Sequence, residues 1–464
     1  MDGFQAEALT RVPLAEAVWL ILRHVADEDS LNSLFEAHRG VGSSQSVTFP
    51  LLVELIADAL LTHHGSGRQS FEQAQREQRL TASVQAVYGK LRRLPPRLSE
   101  AFLAQLTERL RTLLPAESVS PLPAGLQGYQ AFIFDGKKIK NLSKRVKALR
   151  GLSGKALAAK LLVGLFLNDG LVSVMHASLD GEANDAPLTT QLLEQVEQRY
   201  PGPLLFICDS QFCDLSIPPR IDRGGHAYVI RYTKKMLFFP EREQRGVDPR
   251  GRATLEEWGW LGSPADPRRF YVRRVTVFRP GEEDVAVITN LLNADRIPAN
   301  QILDLYLDRW TIERVFQQVT EVLQLDQLIS STPQGAVFQF ALCALLYNLI
   351  QVVRAYVAQF QQRPARSLSS EMLWIDIRKQ LAAGLMMTDR AELLAYLQTF
   401  QTQQQVLQRI SQLLNGPWSR IWIKCPPKKN TPRTPTKHIP GGHFSAWKHI
   451  QNTQPKSKPQ PHPP

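Results

Sequence analysis

Residues 129–135 read YQAFIFD and residues 204–209 read LLFICD. Each is a short apolar and aromatic run that stops at an aspartate, Asp135 in one and Asp209 in the other. Runs of this length and composition read as buried strands. Two more apolar runs, at 157–167 and 171–179, are joined by Asn168-Asp169-Gly170. Those residue types tolerate the positive φ that a tight hairpin needs. A helix-like stretch follows at 188–200, and another strand, AYVIRYT, at 227–233. The order is strand, strand, strand, helix, strand, strand. If the first and fourth strands are parallel neighbours, Asp135 and Asp209 lie side by side, an arrangement that connection rules permit.

Outward from this α/β segment the pattern changes. Residues 1–125 carry helical apolar spacing at 14–24, 50–63, 81–94 and 99–114, and 115–128 (PAESVSPLPAGLQG) has linker composition. Residues 234–295 read as a β-rich insertion, with strand-like runs at 269–279 and 284–292. Helical spacing returns at 298–325 and continues to about 414. These shifts predict a helical N-terminal domain over 1–125 and an α/β core made of 129–233 and 296–350. The insertion at 234–295 interrupts that core, and helices over 351–416 follow it. The segment 424–464 is Pro-rich, with eight Lys or Arg and no acid, and is expected to be disordered.

The 464 residues carry a formal net charge of +12, which favours a polyanionic partner. The apolar run near 337–353 contains Gln339, Asn348 and Gln351 and reads as a core helix rather than a membrane span. The first thirty residues make a poor signal peptide, so a cytoplasmic, membrane-free protein is expected. Four cysteines, none in a CxxC pair, read as free thiols. No phosphate-binding loop, dinucleotide glycine pattern or nucleophile elbow is present.

Three carboxylates stand out by position: Asp135 and Asp209 at strand ends, and Glu313 in a helical stretch. Carboxylates gathered at buried strand ends are costly unless positive charge lies among them. Two divalent metal ions, magnesium or alternatively manganese, roughly 3.5–4 Å apart, would satisfy all three and clamp the oxygens of a phosphodiester. At about 100° per residue, Tyr306, Arg309, Glu313 and Thr320 share one helix face, and Ile312, Val315, Val319 and Val322 face elsewhere. Taken alone, Arg309 and Glu313 also fit an ordinary i,i+4 pair on an exposed helix.

Tyr306-x2-Arg309-x3-Glu313-x6-Thr320 resembles the Tyr-x2-Arg-x3-Glu-x6-Lys signature of DDE transposases of the insertion sequence 4 family, with Thr320 where that family has Lys. Asp135-Gly136 and Asp209-Ser210-Gln211-Phe212 resemble the family's first and second aspartate motifs. The resemblance implies an RNase H-like catalytic core with a β-rich insertion, preceded and followed by helical regions. It implies metal binding by Asp135, Asp209 and Glu313, cleavage of double-stranded DNA at inverted-repeat ends, and joining of those ends to target DNA. It also implies phosphate contacts by Tyr306 and Arg309. At Thr320 either another cation supplies the charge or the copy is weakened.

The basic residues that follow Asp135 (Lys137, Lys138, Lys140, Lys144, Arg145, Lys147 and Arg150) would track a DNA backbone, or form a solvated loop. By the same resemblance, Trp258 and Trp260 in the insertion would stack on a flipped base, or else pack in a core, and Asn290, in a run that resembles the family's Thr-Asn-Leu, would touch DNA. The helix over 81–94 would read the repeats, and the helices near 368–414 would pair two copies as a homodimer on bacterial, nucleoid-associated DNA. Two other readings compete: a catalytically decayed or repurposed DNA-binding protein, and a nuclease of the same fold with no strand transfer.

Overall fold

The computed structural model describes residues 3–40, 46–118, 121–142, 150, 156–279, 281 and 283–425. Seven helices come first: α1 (Gly3–Thr10), α2 (Pro13–Val25), α3 (Glu28–His38), α4 (Phe49–Leu61), α5 (Gly67–Arg76), α6 (Val84–Arg93) and α7 (Pro96–Arg111). The α/β segment follows with β1 (Gln130–Ile139), β2 (Ala159–Phe166), β3 (Leu171–Ser178), α8 (Asp185–Arg199), β4 (Leu204–Cys208), α9 (Ile217–Arg223) and β5 (Ala227–Arg231). Four further strands are β6 (Phe238–Val247), β7 (Ala253–Leu261), β8 (Phe270–Val277) and β9 (Val285–Thr289). The chain then returns to helix in α10 (Ala299–Leu307), α11 (Trp310–Gln317), α12 (Pro333–Phe360), α13 (Ser370–Met387), α14 (Arg390–Leu397) and α15 (Gln403–Leu414). Lys144, Arg145, Lys147 and the segment from 426 onward lie outside the described residues.

The described strands form one nine-stranded sheet in the order β3-β2-β1-β4-β5-β9-β8-β7-β6. Strands β1, β2 and β3 are antiparallel, and the β2–β3 turn is closed by Gly170 at φ 72°. Strands β1, β4 and β5 are parallel, each joined to the next through a crossover. The segment 234–295 does not stand apart. Strand β9 pairs with β5, so β6–β9 continue the same sheet. Strands β6 and β7 carry no clear strand signal in the sequence, and β6 is exposed along nearly its whole length.

Strand alternation sorts the side chains into two cores. Phe132, Phe134, Phe206 and Tyr228 face one side, packed by Leu192 and Val196 of α8 and by Ile217 and Ile221 of α9. Ala131, Ile133, Leu205, Ile207 and Val229 face the other, a larger core shared with the helices before and after the sheet. Those two sets of helices are not separate layers. Gln380 of α13 accepts from the Leu14 backbone N–H at 2.8 Å, and Tyr396 of α14 and Arg409 of α15 both bond the buried Glu16 of α2. The long helix α12 is apolar enough to cross a membrane by length and composition, yet its apolar window is wholly buried inside the protein. Asn348 ties it to the sheet edge: its amide accepts from the Val172 N–H at 2.8 Å and donates to the Val172 carbonyl at 2.8 Å, as a neighbouring strand would.

Candidate active site

Parity along the strands decides where the acids point. Residues 131, 133 and 135 share one face of β1, so Asp135 and Lys137 lie on the side of the larger core, where α11 packs against β1. The parallel register pairs Phe134 with Cys208, which brings Asp135 level with Asp209 just past the end of β4. Strand β1 does not end at Asp135, as its apolar run suggests. It continues to Ile139, paired only with β2 beyond that point. Asp135 therefore sits where the β1–β4 pairing opens, held by a 2.8 Å hydrogen bond from the Gly136 N–H. Asp209 caps a short turn, accepting from the Ser210 N–H at 2.6 Å.

Glu313 comes from α11, laid over this opening. The helical stretch that carries it is not one regular helix. It tightens at Arg309–Ile312, where the Arg309, Thr311 and Ile312 N–H groups bond three residues back, and widens into a π turn at Gln318–Val322. Arg309 is buried, with only 5% of its side chain exposed. It pairs with Glu313 at 2.9 Å, approaches Asp135 at 3.9 Å and donates to the Tyr306 hydroxyl at 3.2 Å. Tyr306 is 1% exposed, and burial pushes its phenol up. Tyr306 and Arg309, expected to hold phosphates, are here turned inward: the phenol supports the guanidinium, which neutralises the acids.

The acids still outnumber their counter-ion. Burial pushes the Asp135 carboxyl up to about 6. The Gly136 N–H and Arg309 oppose that rise, and the charges of Asp209 and Glu313 reinforce it. Among the described residues no three metal-ligating side chains converge tightly enough to hold an ion as they stand. The donors nonetheless suit a hard divalent cation, because all are carboxylate oxygens carrying more negative charge than Arg309 cancels.

Lys137 and Thr320 meet although 183 positions separate them: the Lys137 ammonium donates to the Thr320 hydroxyl at 2.9 Å. Thr320 in turn donates to the Phe316 carbonyl at 2.6 Å. Burial depresses the Lys137 pKa. Lys138 and Lys140 are exposed. Trp310, which is not among the residues expected from sequence, is 51% exposed beside Arg309. Its only sequence signal was its place inside the Tyr306–Glu313 stretch.

Three residues expected to contact DNA have partners within the protein. Asn290 accepts from the Tyr228 N–H at 3.1 Å and donates to Asp222 at 2.6 Å and to the His226 carbonyl at 2.8 Å. These partners lie at the start of β5, the opposite end of the sheet from Asp209, so its amide is spent far from the acids. Trp258 is 5% exposed, bonds the Leu292 carbonyl at 2.9 Å and lies between Arg242 and Arg273. Trp260 bonds Glu241 at 2.9 Å and packs under Arg269. Both are on β7, four strand spacings from β4, or about 19 Å along the sheet. In α6, capped by Ser83, Lys90 is buried against the Val47 carbonyl and the Phe35 ring. It therefore faces the core and not a groove.

Residues 126–349 match the family described as the transposase DDE domain, a span that opens just before β1, closes within α12 and contains all three carboxylates. The match supports a DDE transposase and, with it, a part in DNA transposition. A cryo-EM structure of a piggyBac transposase synaptic complex with hairpin DNA aligns with 90% of this chain and 88% of that chain, at 10% sequence identity and a TM-score of 0.36. No curated protein matches the chain.

Proposed function

We propose that this chain is a cut-and-paste transposase that cleaves DNA at transposon ends and joins the freed ends to target DNA, using Asp135, Asp209 and Glu313 to hold two divalent ions, magnesium or manganese. One observation carries the reading. The three carboxylates gather on one face of the sheet, where the β1–β4 pairing opens, inside the segment that matches the transposase DDE domain. The sheet order β3-β2-β1-β4-β5, antiparallel then parallel, supports an RNase H-like core. The Tyr306, Arg309 and Glu313 spacing supports the insertion sequence 4 family.

When bound, the metals would polarise the scissile phosphodiester and lower the pKa of the attacking water. The protein's part is placement. Asp135 stands on β1 and Asp209 just past β4, two strands locked by parallel hydrogen bonding, and Glu313 reaches in from α11. Tyr306 holds Arg309, and Arg309 holds Glu313 beside the other two acids. Water attacks phosphorus while the bond to the flanking strand breaks, leaving a 3′-hydroxyl that attacks a target phosphodiester in turn. Paired ends call for a homodimer on DNA, and the site of action is the bacterial nucleoid. The neutral Thr320 favours a second reading, a decayed copy that still binds DNA.

The test uses a duplex carrying the DNA that flanks this gene, with magnesium in one set and calcium in another. Wild type cuts at the flank ends in magnesium, and Glu313→Gln binds without cutting. Binding by wild type with no cutting in magnesium or manganese supports the decayed copy. Absence of both rejects the assignment.

A further inference from the structure

The cations near the carboxylates are not equivalent. Arg309 is committed to Glu313 and Tyr306. Lys138 follows on the opposite face of β1, and Lys140 lies past the strand end. Lys137 shares the Asp135 face, two residues or about 7 Å further along the strand. Among the described residues its ammonium has no carboxylate within ion-pair distance. Its partner is a neutral hydroxyl, and it lies 5.3 Å from the centre of the Phe316 ring.

That hydroxyl is oriented for the purpose. Thr320 gives its own proton to the Phe316 carbonyl, so only a lone pair is left for Lys137. The π turn at Gln318–Val322 places Thr320 there, and β1 places Lys137. A half-buried cation is thus fixed beside an acidic site, with Asp135 and Glu321 near enough to act on its charge but neither paired with it. An ammonium held by a neutral acceptor keeps donors free for an anion.

Resting on the reading above, we propose that Lys137 is the site's phosphate-binding cation: Thr320 and Phe316 hold its ammonium beside Asp135 so that it bonds a non-bridging oxygen of the DNA phosphate being cut or of its neighbour. Thr320 is then no loss of charge. The positive group enters from the strand instead of the helix. A lysine at 320 would set two ammonium groups against each other, so Thr320→Lys lowers activity in the presence of Lys137.

Lys137→Gln, Thr320→Lys and the exchange variant Lys137→Thr/Thr320→Lys would be compared with wild type on the flanking-sequence duplex. Cleavage would be followed as a single turnover at saturating DNA in magnesium. Binding would be followed in calcium across a salt series, with the thermal midpoint of each variant as the folding control. Lys137→Gln is expected to slow cleavage on the order of 100-fold, as loss of a donor to a reacting oxygen does. Its log affinity against log salt becomes shallower by about 0.9, the signature of one lost phosphate contact. Thr320→Lys also slows cleavage, and the exchange variant recovers most of the rate, because the ammonium returns to the same place from the other side.

An unchanged rate and salt slope for Lys137→Gln, with wild type cutting, overturn the inference and leave the transposase reading standing. If wild type binds but does not cut, the salt slope alone decides. If Lys137→Gln unfolds, recovery or no recovery by the exchange variant decides. If wild type neither binds nor cuts, the inference falls together with the reading on which it rests.

Discussion

Asp135→Asn should stabilise this protein in the absence of metal. In the folded state the Asp135 carboxyl sits near 6 against an ordinary value of 3.8, chiefly because it is buried. A carboxyl raised on folding costs nothing below pH 3.8, where both states are protonated. The cost grows as pH rises through the interval and is complete above pH 6. With 1.36 kcal/mol per pKa unit, the ionised group costs about 3 kcal/mol at pH 7.5 and about half that at pH 5. Its side chain is only 16% exposed, so solvent screening trims this figure little. Unfolding a chain of this size releases about 1 kcal/mol/K of entropy, so the gain corresponds to about 3 °C in the thermal midpoint. Wild type and Asp135→Asn would be melted in EDTA at pH 7.5 and at pH 5. The variant should melt higher at pH 7.5, with a smaller lead at pH 5. No lead at pH 7.5, or a lead equal at both values, would refute the claim that crowded, buried negative charge is what the site holds in store.

Magnesium or manganese should raise the wild-type midpoint and leave Asp135→Asn unmoved, read in the same melts with metal added. Arg309→Met strips the acids of their counter-ion and should destabilise more at pH 7.5 than at pH 5, which denaturant titration at the two pH values measures. Asn348→Leu leaves the Val172 N–H orphaned under α12 and should cost about 2–4 kcal/mol, with the loss visible as faster amide exchange at β3. Arg273→Met breaks the pair between the fully buried Arg273 and the part-buried Glu256 and removes the bond to the Ile297 carbonyl, for a loss of about 3–5 kcal/mol in urea denaturation.

Much of the sheet could be read along the chain because its strands are buried on both faces. The runs ending at Asp135 and Asp209 are apolar for that reason, and Asn168-Asp169-Gly170 marks its hairpin by the φ it needs. Strand β6 is silent in the sequence for the opposite reason. An exposed edge strand of sequence FFPEREQRGV has no buried face to impose alternation, and its pairing with β7 is decided by the partner. Sequence shows residue type without company, so it leaves the partners of Trp258 and Asn290 open. Arg242, Arg273, Asp222 and the β5 backbone claim them.

The sequence by itself determined which residues could carry charge to the site. Residue type and strand or helix period are local properties, and Asp135, Asp209, Arg309 and Glu313 stand at positions that local physics makes legible. Only the tertiary structure decided what each of them does there. Burial of Arg309 beneath the acids, the shift of Asp135 and the meeting of Lys137 with Thr320 are set by distances between elements far apart in the chain. Solvent exclusion and Coulomb interaction depend on those distances and not on order along the sequence.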